Sequence, residues 1–325
     1  MFSSDIGIDL GTANLLIHTV EGGVIVDEPA VVAIDKRTKE VLAVGDEAYQ
    51  MVGRTPGHIV AVRPLQDGVI SDFDMTEAML SHFLKKVNVK GFFAKPRILI
   101  CCPANITMVE QKAIYQAAAQ SGGKNVFLEE EPKVAAVGAG MNIFEPKGNM
   151  IIDIGGGTTD VAVLSLGGVV TAESVRVAGN GLDEAIIRYV KKEYNLLIGE
   201  RTAERVKREI GTVLPSLKNE SMSIRGRDLV TGLPKTIDIN SEEVASAFEE
   251  SVQEIVQAAK NVLEKTPPEL SADVIDHGIF LTGGGALLHG LDELLSGELQ
   301  VPVFIAEDPL NCVAIGTTRL LQRMK

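Results

Sequence analysis

Residues 148–168 read GNMIIDIGGGTTDVAVLSLGG: two apolar runs joined by three glycines and two threonines, with one aspartate, Asp153, inside the first run. A carboxylate in an apolar strand is costly unless it is paired, hydrogen-bonded or close to a metal. Apolar runs on both sides of the glycines predict two strands and a hairpin tip between them. This is not a P-loop, whose Gly-Lys-Ser/Thr ending is absent. Nor does a helix follow the glycines, as the dinucleotide fingerprint requires. Glycines at such a tip let main-chain N–H groups approach an anion closely.

The stretch has an echo at residues 6–23, IGIDLGTANLLIHTVEGG, where Asp9 takes the place of Asp153. Each aspartate precedes glycine and threonine and is followed by a second apolar strand. The repetition predicts two related domains whose tips face each other and clamp a polyphosphate. Thr12, Asn14, Thr158 and Thr159 supply donors. Two carboxylates beside polyphosphate need a divalent cation, and Mg²⁺ held largely through water suits them. The plainer reading is a tight glycine turn capped by Asp153; the doubling of the motif weighs against it. A third glycine loop, IFLTGGGALLHGLDELL at 279–295, places Gly283, Gly284 and Gly285 before a helix expected over 286–295, a helix N-terminus suited to phosphate or ribose.

The remaining sequence reads as α/β. Strands are expected at 6–10, 15–19, 30–34, 98–102, 150–154, 161–165, 169–174, 278–281 and 303–306, alternating with amphipathic helices. Thr107-Met-Val-Glu110 has the spacing of a capping box, and Asp74-Met-Thr-Glu77 resembles it. Ser241 opens a long helix that Pro267-Pro268 ends. The 325 residues carry 31 basic and 44 acidic side chains, a net charge of −13, which argues against nucleic-acid binding. Cys101, Cys102 and Cys312 form neither a disulfide framework nor a zinc spacing, and fit a reducing setting. The histidines show no metal spacing. No apolar run is long enough to span a membrane, and the N-terminus has no signal-peptide pattern.

The three loops, in this order, resemble the phosphate-1, phosphate-2 and adenosine motifs of the actin, Hsp70 and sugar-kinase ATPase superfamily. IGIDLGTAN, EEEPKVAAVGAG, DIGGGTTDVAV, NLLIGERTAERVK, IRGRDLVTGLPKTI and VPVFIAEDPLNCVAIGT narrow the resemblance to the MreB family of bacterial actin-like proteins, over essentially the whole chain. The N-terminus and KPRILICCPANIT are most similar to its Mbl (MreB-like) branch. The resemblance implies an actin-like α/β fold with two related domains, 1–145 and 146–311, flanking a nucleotide cleft, and a C-terminal helix, 312–325, packing back on the first. It implies phosphate contacts from Thr12, Ala13 and Asn14 on one tip, and from Gly156, Gly157 and Thr158 on the other. Glu204, Arg205, Val206 and Lys207 would reach the nucleoside, as would Gly284, Gly285, Ala286 and Leu287. Asp9 and Asp153 would serve Mg²⁺ and its waters. Glu131, before Pro132, would orient the attacking water with help from Thr158. On residue chemistry alone, Glu204 and Lys207 read equally well as an exposed ion pair, and Glu129 and Glu130 as partners of a helix dipole. Asn180 stands where family members often have aspartate.

By the same resemblance the cofactors are ATP or ADP with Mg²⁺, and the activity is ATP hydrolysis coupled to filament assembly. The expected partners are further copies in paired antiparallel protofilaments, MreB-family paralogues, and MreC, MreD and RodZ-type wall-elongation proteins. The expected place is the cytoplasmic face of the membrane, where filaments organise wall synthesis and maintain rod shape. Phe92 and Phe93, flanked by Lys90, Lys95 and Arg97, would contact inner-leaflet lipid; folding back into the core is the alternative. A small-molecule kinase or a chaperone-type ATPase on the same fold is the competing function. No separate acceptor-hydroxyl base or peptide-binding module is visible for either.

Overall fold

The computed structural model describes residues 5–87, 96–102, 107–120, 123 and 125–324. Phe92 and Phe93 therefore lie outside the described residues. The chain starts with a meander, β1 (Ile6–Leu10), β2 (Asn14–Thr19) and β3 (Gly23–Pro29). A small sheet follows, formed by β4 (Val32–Asp35), β5 (Val41–Val44) and β6 (Ile59–Val62), with helix α1 (Asp46–Met51) between the last two. The hairpin of β7 (Leu65–Gln66) and β8 (Val69–Ile70) turns on Asp67 and Gly68, both at positive φ, as a two-residue loop of this type requires. Then come α2 (Phe73–Lys86), β9 (Arg97–Cys102), α3 (Met108–Gln120), β10 (Asn125–Glu130) and α4 (Glu131–Gly138).

The second half repeats the meander with β11 (Asn149–Ile154), β12 (Thr159–Ser165) and β13 (Gly168–Val175). Next are α5 (Gly179–Tyr194), β14 (Leu196–Leu197), α6 (Glu200–Ile210), β15 (Ser221–Asp228), β16 (Pro234–Asn240), α7 (Ser241–Lys265) and α8 (Pro268–His277). The chain ends with β17 (Ile279–Thr282), α9 (Leu291–Leu299), β18 (Val303–Ile305) and α10 (Cys312–Arg323).

The two large sheets share one topology. Their strand orders are β3-β2-β1-β9-β10 and β13-β12-β11-β17-β18. In each, the meander strands pair antiparallel, and the strand carrying the aspartate pairs parallel with the fourth. Parallel pairs need long crossovers, and helices supply them in both halves. Each half has its own apolar core, and a third cluster lies between them. That cluster joins Leu99 of β9, Ile151 of β11 and Ala162 of β12 through Val134 on α4 and Val313 and Leu321 on α10. Helix α10 packs on α4, β1, β2 and β9, so the end of the chain returns to the first half. Among the described residues no helix is long and apolar enough to cross a membrane.

Helix starts differ from expectation in instructive ways. Helix α2 is capped by Asp72, whose extended backbone lets its carboxylate accept from the Met75 N–H at 3.1 Å. Asp74 sits inside the first turn, where it complements the dipole. Helix α7 is closed by a reciprocal cap, in which Asn240 accepts from the Glu243 N–H and Glu243 from the Asn240 N–H. Thr107 and Glu110 make the predicted pair at the start of α3. The third glycine loop does not run straight into an α-helix. It forms one 3-10 turn, Gly284–Leu287, and the left-handed Gly290 breaks the chain before α9 begins at Leu291.

Candidate functional site

The two aspartates occupy matching places. Asp9 is opposite Leu16 of β2 and Cys101 of β9; Asp153 is opposite Asp160 of β12 and Thr282 of β17. Each stands near the C-terminal end of the middle strand of its sheet, where the chain turns into a hairpin tip. In parallel-strand sheets this end is where ligand sites form. The tips meet. A Cβ on Gly156 would fall 2.5 Å from Ala13 Cβ, and one on Gly157 would fall 2.7 Å from Thr12 Oγ1. Only glycine allows that approach.

Behind the second tip stands the N-terminus of α5. The Gly179 N–H donates to Gly155 O (3.1 Å), and the Asn180 N–H to Gly156 O (2.8 Å). Asn180 thus supports the tip through its backbone. The third loop positions Asp153 directly: the Thr282 hydroxyl donates to Asp153 Oδ1 at 2.9 Å. Gly283, at φ 78, passes so close that a Cβ there would meet Asp153 Oδ1 at 2.8 Å and Ile154 O at 2.3 Å.

Four carboxylates gather at this end. Asp153 and Asp160 are buried, 3% and 2% exposed, and Asp9 and Glu131 are half-buried. Burial first, then the charges of Asp153 and Asp27, push Asp9 up to about 7. Burial, with Asp160 adding to it and the Thr282 hydrogen bond opposing, pushes Asp153 up to about 7. Asp160 is raised by burial, against hydrogen bonds from the Ser174 and Thr158 hydroxyls. Glu131 is raised well above the carboxylate range by burial and by Asp153, Asp160 and Asp9. The acids repel one another, and Asp160 Oδ1 is buried with no hydrogen-bond partner. Such a set fits a cation in its midst. Among the described residues no three or more His, Cys, Asp or Glu side chains are disposed to ligate a metal directly. The fit is therefore to a hydrated cation reached through water and phosphate, as Mg²⁺ prefers.

The other expected residues divide into those facing the tips and those that do not. Thr12 is buried and accepts from the Gly68 N–H at 3.2 Å, which brings the β7–β8 turn over the first tip. Asn14 is exposed and donates to Asp27 Oδ1 at 2.8 Å. Glu131 opens α4 with Pro132 behind it, while Glu129 pairs with Lys133 at 2.8 Å. Glu204 and Lys207 do not pair with each other. Lys207 Nζ donates to Gly179 O (2.8 Å) and to Asp183 Oδ2 (3.0 Å), whereas Glu204 accepts from the Tyr49 hydroxyl. Arg205 is exposed. Val206 is fully buried in the second core, as is Ala286, so their side chains serve packing; Leu287 is 57% exposed.

Three contacts at the site lie outside the sequence reading. Asp183, pushed up to about 6 by burial against the pull of Lys207, holds that lysine beside the second tip. Arg63 extends a guanidinium to Ala13 O at 3.5 Å. Tyr49 reaches Glu204 from the opposite half. An open groove of about 660 Å³ between β5 and α2 is separate from all of these, and none of the residues lining it is acidic.

The raised acids predict a pH effect. Native Asp9 and Asp153 hold protons up to about pH 7, whereas unfolded aspartate releases them near 4. Between those values the native state binds more protons than the unfolded state, so stability of the ligand-free protein falls as pH rises through this window. A bound divalent cation favours the ionised forms, so binding Mg²⁺-nucleotide at pH 6.5 is expected to release about 1.5 protons from the two aspartates. Calorimetry in buffers of different ionisation enthalpy measures it, and zero release would contradict the arrangement.

The profile of the family described as MreB/Mbl protein matches residues 3–325. The cell shape-determining protein Mbl of Bacillus subtilis (strain 168) is 65% identical over 324 residues, covering 100% of this chain and 97% of that one. Crystal structures of MreB5 of Spiroplasma citri bound to ADP and to AMPPNP superpose with a TM-score of 0.94 at 41% identity, covering at least 99% of this chain and 97% of theirs. A MamK double helical filament matches with a TM-score of 0.82 at 25% identity, over 98% of both chains.

Proposed function

The chain belongs to the MreB/Mbl family, and from that premise we propose that it is a cell shape-determining actin homologue that binds and hydrolyses ATP and assembles into filaments. The observation that carries the reading is the meeting of two glycine tips, each fed by an aspartate at the same register of two sheets of the same strand order. The relatives agree with it: MreB5 is seen with ADP and with AMPPNP, MamK as a filament, and Mbl carries a cell-shape name.

In this reading the domains are 1–145 and 146–311, with 312–325 returning to the first. Thr12, Ala13 and Asn14 hold the phosphates from one side, and Gly156, Gly157 and Thr158 from the other. Glu204 to Lys207 and Gly284 to Leu287 flank the nucleoside, with Val206 and Ala286 contributing through the backbone. Asp9 and Asp153 hold waters of Mg²⁺. When bound, Mg²⁺ neutralises charge on the phosphates and on the acid cluster. Glu131 orients the attacking water and accepts its proton, with Thr158 beside it. Phosphoryl transfer needs positioning and neutralisation above all, and these residues supply both.

Nucleotide state governs assembly because a ligand shifts only equilibria whose two states it binds unequally. ATP favours the closed cleft and its subunit contacts; hydrolysis relaxes them. In this reading the filaments are paired antiparallel protofilaments on the inner face of the cell membrane, with Phe92 and Phe93 contacting the lipid, and with paralogues and wall-elongation proteins as partners. Sedimentation and electron microscopy of the purified protein with Mg-ATP and anionic liposomes test this. Filaments that pellet with ATP, and float with the liposomes, are expected. Sugar phosphorylation without polymer would give the assignment to the kinase reading instead.

A further inference from the structure

Helix α1 and helix α6 belong to different halves of the molecule, yet one side chain joins them. Tyr49, on α1, donates its hydroxyl to Glu204 Oε2 on α6. Tyr49 is fixed from behind: Ala48 is buried in a small cluster with Val31 and Ala33, and Tyr49 packs against it. Arg201 lies one turn before Glu204, so the two share a helix face. Its guanidinium carbon sits 5.3 Å from the centroid of the Tyr49 ring, within cation–π range. Arg201 Nη1 is buried with no hydrogen-bond partner among the described residues. The ring and hydroxyl of Tyr49 therefore hold two α6 side chains, one turn apart, from across the cleft.

We propose that Tyr49 positions the Glu204 carboxylate from the opposite half, and that nucleotide leaves only when this cross-cleft hydrogen bond opens. The proposal rests on the reading that Glu204 faces the nucleoside. A carboxylate has about four acceptor sites. The phenol occupies one on Oε2, and the others remain for donors on the nucleoside. Burial and Glu204 push the Tyr49 hydroxyl up to about 12, so it stays a donor at neutral pH. A glutamate already held in one rotamer loses less freedom when ligand binds. The same bond ties the small β5-β4-β6 sheet to α6, so opening the cleft must break it. Tyr49 is thus a positioning residue, acting on nucleotide through Glu204.

The test is the rate at which excess ATP chases a fluorescent ATP analogue from the Mg²⁺-loaded protein, measured in wild type, Tyr49→Phe, Glu204→Gln and the double variant. Phenylalanine keeps the ring under Arg201 and removes only the hydroxyl. Tyr49→Phe is expected to speed release by about tenfold, the scale of one charge-assisted hydrogen bond at a half-exposed site. In the Glu204→Gln background the same change is expected to add less than twofold, because the positioned group is already altered. A wild-type rate in Tyr49→Phe, or equal effects in both backgrounds, would overturn the proposal. A wild type that binds no analogue would instead refute the nucleotide reading beneath it.

Discussion

Asp153→Ala is expected to abolish stabilisation by Mg-ATP. At a ligand concentration of about 100 times Kd, a protein gains roughly 2.7 kcal/mol, which for a chain of this size raises the melting midpoint by about 5 °C. The variant is expected to show less than about 1 °C under the same conditions. The argument is electrostatic. Asp153 is the buried member of the aspartate pair, held by Thr282 and backed by Gly283, and its charge repels the acids around it until a cation arrives. Removing it also changes the ligand-free protein in a direction that can be worked out. The native carboxyl titrates near 7 and the unfolded one near 4, so its ionisation destabilises the fold at pH 8 and is absent at pH 4. Alanine removes that penalty and leaves the Thr282 hydroxyl without its acceptor. The ligand-free variant should therefore hold its midpoint against wild type better at pH 8 than at pH 5. Thermal melts at both values, with and without Mg-ATP, measure all of this. A wild-type response to Mg-ATP would remove Asp153 from the site.

Much of this geometry is legible in the sequence. The strands that carry Asp9 and Asp153 have continuous apolar runs ending in glycine, and β1 spans the expected residues 6–10. The matching hairpins at the centre of the two large sheets follow from the repeated stretch. What escaped was what depends on exposure or distance. Strand β3, GVIVDEP, is an edge strand with Val24 and Ile25 exposed and only Val26 buried, so its apolar run is no guide to which face meets the core. Strands β15 and β16 alternate between polar and apolar residues, but with only Ile224 and Ile239 as buried apolar positions. The 3-10 turn at Gly284–Leu287 was hidden because three glycines before an apolar run look the same whether or not a helix starts at once. The inward turn of Val206 had a signal: with Ala203 and Ile210 it repeats at helical spacing, and all three are buried. The contacts of Tyr49 with Glu204, Arg63 with Ala13 and Asp183 with Lys207 had none. They join residues far apart in sequence, and packing alone brings them together.

Glu131→Ala is expected to slow ATP hydrolysis by about 100- to 1,000-fold, the range of a lost general base, while changing the Kd for Mg-ATP by less than about threefold. The separation follows from where Glu131 stands. It opens α4 beyond the end of β10, within electrostatic reach of the Cys101 and Cys102 thiols at the end of β9 and of Asp153, Asp160 and Asp9. In the ligand-free protein burial, and then those neighbours, raise the affinity of its carboxyl for a proton. A cation beside the aspartates offsets their repulsion, lowers the affinity of Glu131 for its proton and leaves a carboxylate able to accept one from water. In the proposed reading binding depends on the tips and the aspartate pair, which the substitution leaves in place. Single-turnover hydrolysis and equilibrium binding, measured on the same preparation, separate the two effects. Glu131→Gln then divides the role. A rate within tenfold of wild type would mean that holding the water suffices, whereas a rate as low as that of alanine would mean that the proton must be taken. If assembly follows nucleotide state, polymers of Glu131→Ala should persist in ATP long after wild-type polymers have disassembled. Equal losses of binding and hydrolysis would place Glu131 in the phosphate cradle and leave the attacking water to another residue.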